Sequence, residues 1–559
     1  MNMPRNGSLC VYIGLTLALF AGVALVPPGL VLGRSVWVDG RFTIAAYREV
    51  LAEGRQWSLL RNTLAIAGGT AFFATVLGVV AGYAVACAGR RMRRTLVCAL
   101  AVPFLIPPYI ATVAWVDLLG RRGYAAKLLE LSYGDGASPP NLYAVSGVIF
   151  VFSLVYYPLV AFATFLALRG FDRRFEEAGL CVAGKGRVFR RITLPLVGPT
   201  ILTGTLFVFM LALVSFSTPS LLQVNVYPAE IYSRFSAFND FSGATAHAIP
   251  LVFCGVAALT AWGLYMRQSR PWLTGAHRPR NAAGRRSGHG AAALVFTWFL
   301  VAISTALPLG ALIRRAMPAR SFFEALRTAK EEITTTVILA SAAATLVTAL
   351  AFSMAYLERL RLLDSATRTG AGGLRGAQRG SGGALHRIFA LSAVPFLISG
   401  PVLGIGLILT WNRPGLPALV YDTLLVVVLA CVGRYLFFAH RGAGACLTAL
   451  DPALEEAASV GGVGWRRRVT GIILPLLWPS LVAVWGLTFV LSVGELEATV
   501  LVCPPGQTPL SVRILTLMHY GPSRLVSALS LITVLLILAG AIVTLVIYGY
   551  ARRRVHVRG

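Results

Sequence analysis

Charge is what this sequence has least of. Only 13% of its 559 residues are Asp, Glu, Lys or Arg, against 57% that are apolar. A soluble domain carries about 25% charged residues, because its surface must be wetted. With a mean hydropathy of +0.73, the chain has too little polar material to cover a globule of its length, so lipid must be its solvent. The same figures exclude disordered and collagen-like classes. Acid is the scarcer sign: 22 Asp and Glu stand against 50 Lys and Arg, a formal charge of +28. In a soluble protein that excess would point to nucleic acid. No RNA- or DNA-binding module is visible, and basic loops held on the cytoplasmic side of a membrane account for the charge, so no nucleic-acid partner is expected.

Other absences narrow the field further. The eight cysteines (Cys10, Cys87, Cys98, Cys181, Cys254, Cys431, Cys446, Cys503) are scattered and form no CxxC. Neither a zinc site nor a disulfide framework is indicated. The seven histidines contain no H-E-x-x-H, so no metal site is expected. No nucleophile–base constellation is recognisable, and no catalytic residue is assigned. Residues 179–186, GLCVAGKG, nearly form a phosphate-binding loop. Gly186 stands where a Ser or Thr would hold magnesium, and no strand precedes the segment, so the chain is expected to bind no ATP itself.

What the sequence does have is long apolar runs. About 20 apolar residues cross a bilayer core, and twelve such stretches are readable at roughly 9–32, 62–88, 95–119, 142–167, 198–224, 247–266, 291–313, 334–357, 388–411, 416–440, 476–503 and 525–551. An all-α polytopic membrane protein follows. With the N-terminus inside, the inward segments hold roughly two thirds of the Lys and Arg, which predicts cytoplasmic termini. The spans form two sets of six. Val102-Pro103-Phe104-Leu105-Ile106 recurs as Val394-Pro395-Phe396-Leu397-Ile398, and RITLPLVGPTI (191–201) as GIILPLLWPSL (471–481). The predicted domains are a first half, 1–266, a basic Gly/Pro-rich linker, 267–290, and a second half, 291–559. A Gly/Arg-rich stretch near 365–387 has no counterpart in the first half and is expected to be disordered.

Two inward loops, 168–197 and 441–475, mix acidic with basic residues and end in Leu-Pro. In the second, Asp451 can cap a helix that Pro452 begins, with Glu455 and Glu456 in its first turn. Ala457 and Ala458 keep one side thin, Gly461-Gly462 ends the helix, and Pro475 is expected to start the next span. The first loop repeats the scheme with Asp172, Glu176, Glu177, Ala178, Gly184 and Pro195. A short, thin-faced helix suits a knob that fits a partner's cleft.

These loops resemble the EAA loops in permease subunits of ATP-binding-cassette importers. The pattern is Glu-Ala-Ala, a Gly four residues on, and a closing Ile-x-Leu-Pro. The second copy matches in full through Glu456, Ala457, Ala458, Gly462, Leu474 and Pro475. The first departs: Glu177-Ala178-Gly179 opens it, Ala183 precedes Gly184 where Gly is due, and Leu194-Pro195 arrives one residue early. The resemblance implies the type I importer fold in a fused two-half form. It also implies coupling helices seated in a cytoplasmic ATPase dimer that holds the ATP and magnesium, and cargo delivered by a periplasmic solute-binding protein at the inner membrane. Segments 102–120 and 504–521 are most similar to ferric iron permeases; thiamine, phosphonate or other small organic solutes are the alternatives within the class. An ion-gradient-driven secondary transporter is the alternative outside it, since twelve spans in two halves occur there too.

Glu495 and Glu497 fall within the eleventh predicted span, where charge is costly and usually faces a cavity or a partner. Counting from Pro195 and Pro475 pairs them with Ser215 and Ser217. All four are candidates for the translocation path, set against helix–helix hydrogen bonding or carboxylates reaching the outer interface. On a helix, residues at i and i+2 do not share a face, so only one of the two acids should line a pore, and Glu495 is preferred. Arg434 and His440 read as side chains snorkelling from the inner end of the tenth span.

Overall fold

The computed structural model describes residues 7–38, 41–43, 47–48, 52–121, 123–133, 141–170, 174–238, 240–273, 288–369, 389 and 391–558. Asp172, most of the linker and most of the 365–387 stretch lie outside them. Apolar runs form helices because hydrocarbon offers the backbone no water, and a helix bonds every interior amide internally. The first copy contains α1 (Cys10–Val36), α2 (Gly54–Cys87), α3 (Arg90–Leu105), α4 (Pro108–Leu119), α5 (Val145–Gly170), α6 (Arg174–Leu180), α7 (Gly186–Val214), α8 (Tyr227–Phe238) and α9 (Phe241–Leu273). The second repeats the order with α10 (Gly290–Ala316), α11 (Lys330–Thr369), α12 (Ala393–Leu397), α13 (Gly400–Trp411), α14 (Leu425–Thr448), α15 (Ala453–Val460), α16 (Trp465–Val493), α17 (Leu510–Tyr520) and α18 (Ser523–Arg558).

Among the described residues, ten helices are long and apolar enough to cross a bilayer, or eleven if the bent α3–α4 pair is one span. The twelve continuous spans read from hydropathy are corrected at two equivalent places. α3 and α4 meet at 87°, because Ile106 and Pro107 precede prolines and take extended backbone. In the second copy Ile398 and Ser399 are extended in the same way, and Pro401 restarts the chain as α13, too short for a full crossing.

Other prolines are absorbed without a break. Four π-helical turns, Ala21–Leu25, Phe189–Thr193, Ala302–Ala306 and Val469–Ile473, each end two residues before a proline: Pro27, Pro195, Pro308 and Pro475. A proline has no N–H for the carbonyl four residues back and its ring crowds that carbonyl. Widening the preceding turn relieves the clash and keeps the helix continuous. Pro195 and Pro475 therefore lie inside α7 and α16 and do not start them.

The helices group into two compact units that exchange their first spans. One unit comprises residues 1–43, 326–519 and 532–559; the other comprises 44–325 and 520–531. Thus α1 packs with the second copy, and α10 with the first. In the former unit α1 lies so close to α13 that a Cβ on Gly406 would sit 2.7 Å from the Pro27 carbonyl oxygen. In the latter, α10 packs along α2, and Tyr157 on α5 lies 3.2 Å from the Ser304 hydroxyl of α10.

Matched hydrogen bonds align the two copies. Thr63 on α2 accepts from the backbone N–H of Tyr227, first residue of α8, at 3.0 Å. Thr336 on α11 accepts from Leu510, first residue of α17, at 2.9 Å. Counting along the helices from those threonines, Gly78 and Gly82 of α2 match Ala351 and Ala355 of α11. Small residues at this spacing let membrane helices approach closely. A Cβ on Gly82 would lie 2.4 Å from the Ala161 carbonyl oxygen of α5. Large apolar side chains such as Phe72, Phe253, Val295 and Val546 remain exposed around the outside, as a lipid-facing surface requires.

Replacing Gly82 by Leu should lower stability by about 1–3 kcal/mol through overpacking. Gly68→Leu, on the same helix with open space around it, should not. Thermal unfolding of the detergent-solubilised variants checks this; equal shifts at the two positions would contradict the packing assigned to α2 and α5.

Candidate functional site

The second acidic loop folds as its residues dictate. Asp451 Oδ1 accepts from the Ala453 N–H at 3.0 Å, capping α15. The helix ends in a Schellman arrangement: the Val463 N–H reaches the Ala458 carbonyl at 3.0 Å and the Gly462 N–H reaches that of Ser459 at 3.1 Å. Gly462 has φ +73°, a left-handed conformation that glycine adopts without strain. Glu456 and Ala457 are exposed, and Leu454 and Val460 present bare apolar surface, Val460 at 89% exposure.

The first loop forms the same helix with a different ending. Glu176 and Glu177 lie in the first turn of α6, and Ala178 is exposed. Gly184 accepts from the N–H groups of Arg187 and Val188, and so caps the following helical segment. Its counterpart is Gly464, which caps the helix begun by Trp465 through the Arg468 N–H at 3.1 Å. The missing residue of the first copy therefore falls at the helix terminator, and Gly184 does not perform the turn that Gly462 performs. Phe175, Leu180 and Val182 are exposed there, Val182 at 88%. Leu194 and Pro195, like Leu474 and Pro475, follow the π turn that links each loop to its span. The near-phosphate loop at 179–186 falls across the end of α6 and the start of α7, and among the described residues the elements directly ahead of it are the helices α5 and α6.

Beneath α15 lies a residue that sequence reasoning missed. Arg359 on α11 is 7% exposed and donates from Nε to Glu455 Oε1 at 2.5 Å. Its Nη1 donates to the carbonyls of Leu447 and Leu450, and Nη2 reaches Leu450 at 3.4 Å. Neighbouring Glu358 lies 3.5 Å from His440 Nε2, and both His440 and Arg359 are buried. His440 thus faces α11 and does not snorkel. The available signal was a Glu-Arg pair immediately beyond the predicted end of a span, which reads equally well as an interface anchor.

Glu495 and Glu497 converge on Arg434. Arg434 Nη2 donates to Glu497 Oε2 at 2.9 Å, and its Nε lies 3.9 Å from Glu495 Oε2. The Tyr435 hydroxyl donates to Glu495 Oε2 at 2.5 Å, and the Ala498 N–H to Glu495 Oε1 at 3.0 Å. Two expectations are corrected. α14 begins at Leu425, later than expected, so Arg434 falls near its middle, buried, and is a partner of the acids. The chain also leaves the helix after Val493, so the i,i+2 rule does not apply to Glu495 and Glu497, and both reach one guanidinium. The close approach of α13 is part of the cluster: a Cβ on Gly400 would lie 2.4 Å from Glu497 Cβ. Ser215 and Ser217 occupy the matching exit from α7, buried at 5% and 3% exposure. Thr112 of α4 donates to neighbouring Thr218 at 2.9 Å.

At the N-terminal ends of α2 and α11 each copy carries an ion pair, of opposite sense in the two. Arg55 on α2 bonds Glu230 on α8 at 2.8 Å, whereas Glu332 on α11 pairs with Arg513 on α17. Glu53, just ahead of α2, is held below the usual carboxylate range by a hydrogen bond from Gln56 and by the charge of Arg234. No group of three or more potential His, Cys, Asp or Glu metal ligands occurs among the described residues.

A family profile described as the binding-protein-dependent transport system inner membrane component matches the chain twice, over residues 74–267 and 380–557. The chain is 23% identical over 522 residues to the ferric transport system permease protein FbpB of Actinobacillus pleuropneumoniae, covering 89% of this chain and 72% of that one. It is 23% identical over 498 residues to a Haemophilus influenzae protein provisionally described as ferric transport system permease protein FbpB 1, covering 85% and 75%. Among solved structures it is similar to a chain of a bacterial ABC transporter that imports alginate, with TM-score 0.39 and 18% identity, covering 48% of this chain and 97% of that one.

Removing one partner of a buried ion pair costs about 3–5 kcal/mol, because the other charge is stranded. Arg434→Met should therefore destabilise the protein by that order, and adding Glu495→Gln with Glu497→Gln should recover most of the loss. Thermal unfolding of the purified variants tests this; a triple variant no more stable than Arg434→Met would contradict the pairing.

Proposed function

The chain belongs to the family of binding-protein-dependent transport system inner membrane components, and from that membership we propose that it conducts ferric iron as the permease of an ATP-driven importer. The chain is a multi-pass transport component. A periplasmic solute-binding protein delivers the iron, and a dimer of separate cytoplasmic ATPase subunits supplies the energy. ATP and magnesium are bound by those subunits, and this chain contributes no catalytic residue or cofactor of its own. Both termini lie in the cytoplasm, which puts α6 and α15 on the ATPase side.

The observation that carries the coupling role is the pair of loop helices. Each copy projects a short helix with an exposed acid (Glu177, Glu456), small residues beside it (Ala178-Gly179, Ala457-Ala458) and bare apolar side chains. Exposed apolar surface on a water-facing loop invites a protein partner. ATP closing the ATPase dimer would move both helices and bias the spans toward one of two arrangements. A ligand can shift such an equilibrium only by its differential affinity for the two states, and these loops are where that difference enters the membrane. Iron as cargo is supported by the two ferric-transport relatives, which match most of this chain. Ser215, Ser217, Glu495 and Glu497 mark the polar stretch through which the ion passes, where both copies leave the helix and bury polar side chains.

Glu177→Arg combined with Glu456→Arg should reduce ATP-dependent radio-iron uptake to the level of cells lacking the chain, while the protein still reaches the membrane. Full uptake in that double variant would contradict the coupling role. Uptake of an organic solute and not of iron by the unaltered chain would keep the importer and overturn the cargo.

A further inference from the structure

The two loop helices are alike in sequence and unlike in attachment. α15 has one buried side chain, Glu455, 3% exposed. α6 has none, and Glu176, which matches Glu455, is only half-buried. The difference traces to one position. Counting from Thr63 and Thr336, Arg359 of α11 corresponds to Ala86 of α2.

We propose that Arg359 is a positioning residue for energy coupling, a pin that fastens the second coupling helix to the transmembrane helices, leaving the first helix as the compliant member of the pair. This rests on the reading of α6 and α15 as ATPase seats. One guanidinium joins three elements: α11, which carries it; the C-terminal end of α14, where it caps the Leu447 carbonyl and that of Leu450 just beyond the helix; and the first turn of α15, through Glu455. Carbonyls at a helix end have no partner within the helix. The planar, five-donor fork of arginine can serve them and a carboxylate together, which a lysine cannot. Those added hydrogen bonds offset the desolvation that makes an isolated buried pair unprofitable.

Glu455 Oε2, the Tyr356 hydroxyl and Arg468 Nε are all buried without a hydrogen-bond partner. Tyr356 lies about one turn before Arg359 on α11, and Glu455, Arg468, Tyr12 and Arg359 are its titratable neighbours. A displacement of α15 is therefore transmitted through the Glu455–Arg359 contact to α11 and α14 together. In the first copy Ala86 stands at the position of Arg359 and offers no such link, while Gly179 of α6 packs against Ile192 and Val188.

The test uses the full complex, with its ATPase and iron-loaded binding protein, in proteoliposomes, and reads iron moved per ATP hydrolysed. Arg359→Met should lower that ratio by about tenfold, toward the low end of coupling factors between linked sites. Arg359→Lys and Glu455→Gln should give intermediate losses, and Glu176→Gln none. A merely structural role would reduce the amount of complex and leave the ratio unchanged, so an unchanged ratio in Arg359→Met overturns the pin. Should Arg359→Met fail to accumulate, Arg359→Lys and Glu455→Gln carry the test, and ratios equal to the unaltered chain overturn it. Equal losses in Glu455→Gln and Glu176→Gln overturn the inequality of the two loops. An unaltered chain that recruits no ATPase overturns the seats themselves, and the pin with them.

Discussion

Every unusual feature of this protein follows from one constraint: backbone in hydrocarbon has no water to bond, so any interruption of a helix must be resolved locally. Prolines force the interruptions. At Pro27, Pro195, Pro308 and Pro475 a wide turn just ahead of the proline absorbs it and the helix continues. At Pro107-Pro108 the chain breaks outright, and near Pro401 it breaks again at the equivalent place. Breaks free backbone groups, and polar side chains gather to meet them. Arg434 reaches the Ile398 carbonyl at the α12–α13 break while pairing with the acids at the end of α16. The polar stretch of the membrane interior is thus tied to the positions where helices fail.

Duplication built the frame, and divergence set the charges on it. The Thr63 and Thr336 hydrogen bonds, the small residues at matching positions of α2 and α11, and the π turns before Leu-Pro are matched in both copies. Over that frame the ionic contacts differ. The sense of the Arg55–Glu230 pair is reversed in Glu332–Arg513, serines in one copy stand where glutamates do in the other, and Arg359 has an alanine for its counterpart. Packing geometry requires matched shapes in the two copies, whereas a buried ion pair requires only that its partner change with it.

The class was legible because it rests on sums and repeats: too little charge for a soluble surface, and two loops with one pattern. The helix of the second loop was readable residue by residue, since Asp451, Pro452 and Gly462 act through local backbone geometry. What was not legible depended on contacts distant in sequence. Hydropathy cannot see that Ile106-Pro107 turns the chain, because the side chains remain apolar through the bend. Arg434 looked like an anchor because the start of α14 was set too early: the apolar run from 416 is divided in the structure between a short helix, Leu416–Tyr421, and α14, which begins at Leu425. The spacing rule for Glu495 and Glu497 failed because it assumed a helix where there is none. Arg359 was missed because its partner is nearly a hundred residues away.

The central claim is that α6 and α15 are the seats of a separate ATPase. It is tested most directly by placing a photo-cross-linking residue at the exposed tips, Val182 and Val460, and identifying what is captured after gentle purification from the membrane. Capture of an ATPase subunit from both positions, with none from a lipid-facing control such as Val295, is the result this account predicts. Capture of no ATPase from either tip, together with uptake driven by an ion gradient in vesicles without ATP, would contradict it.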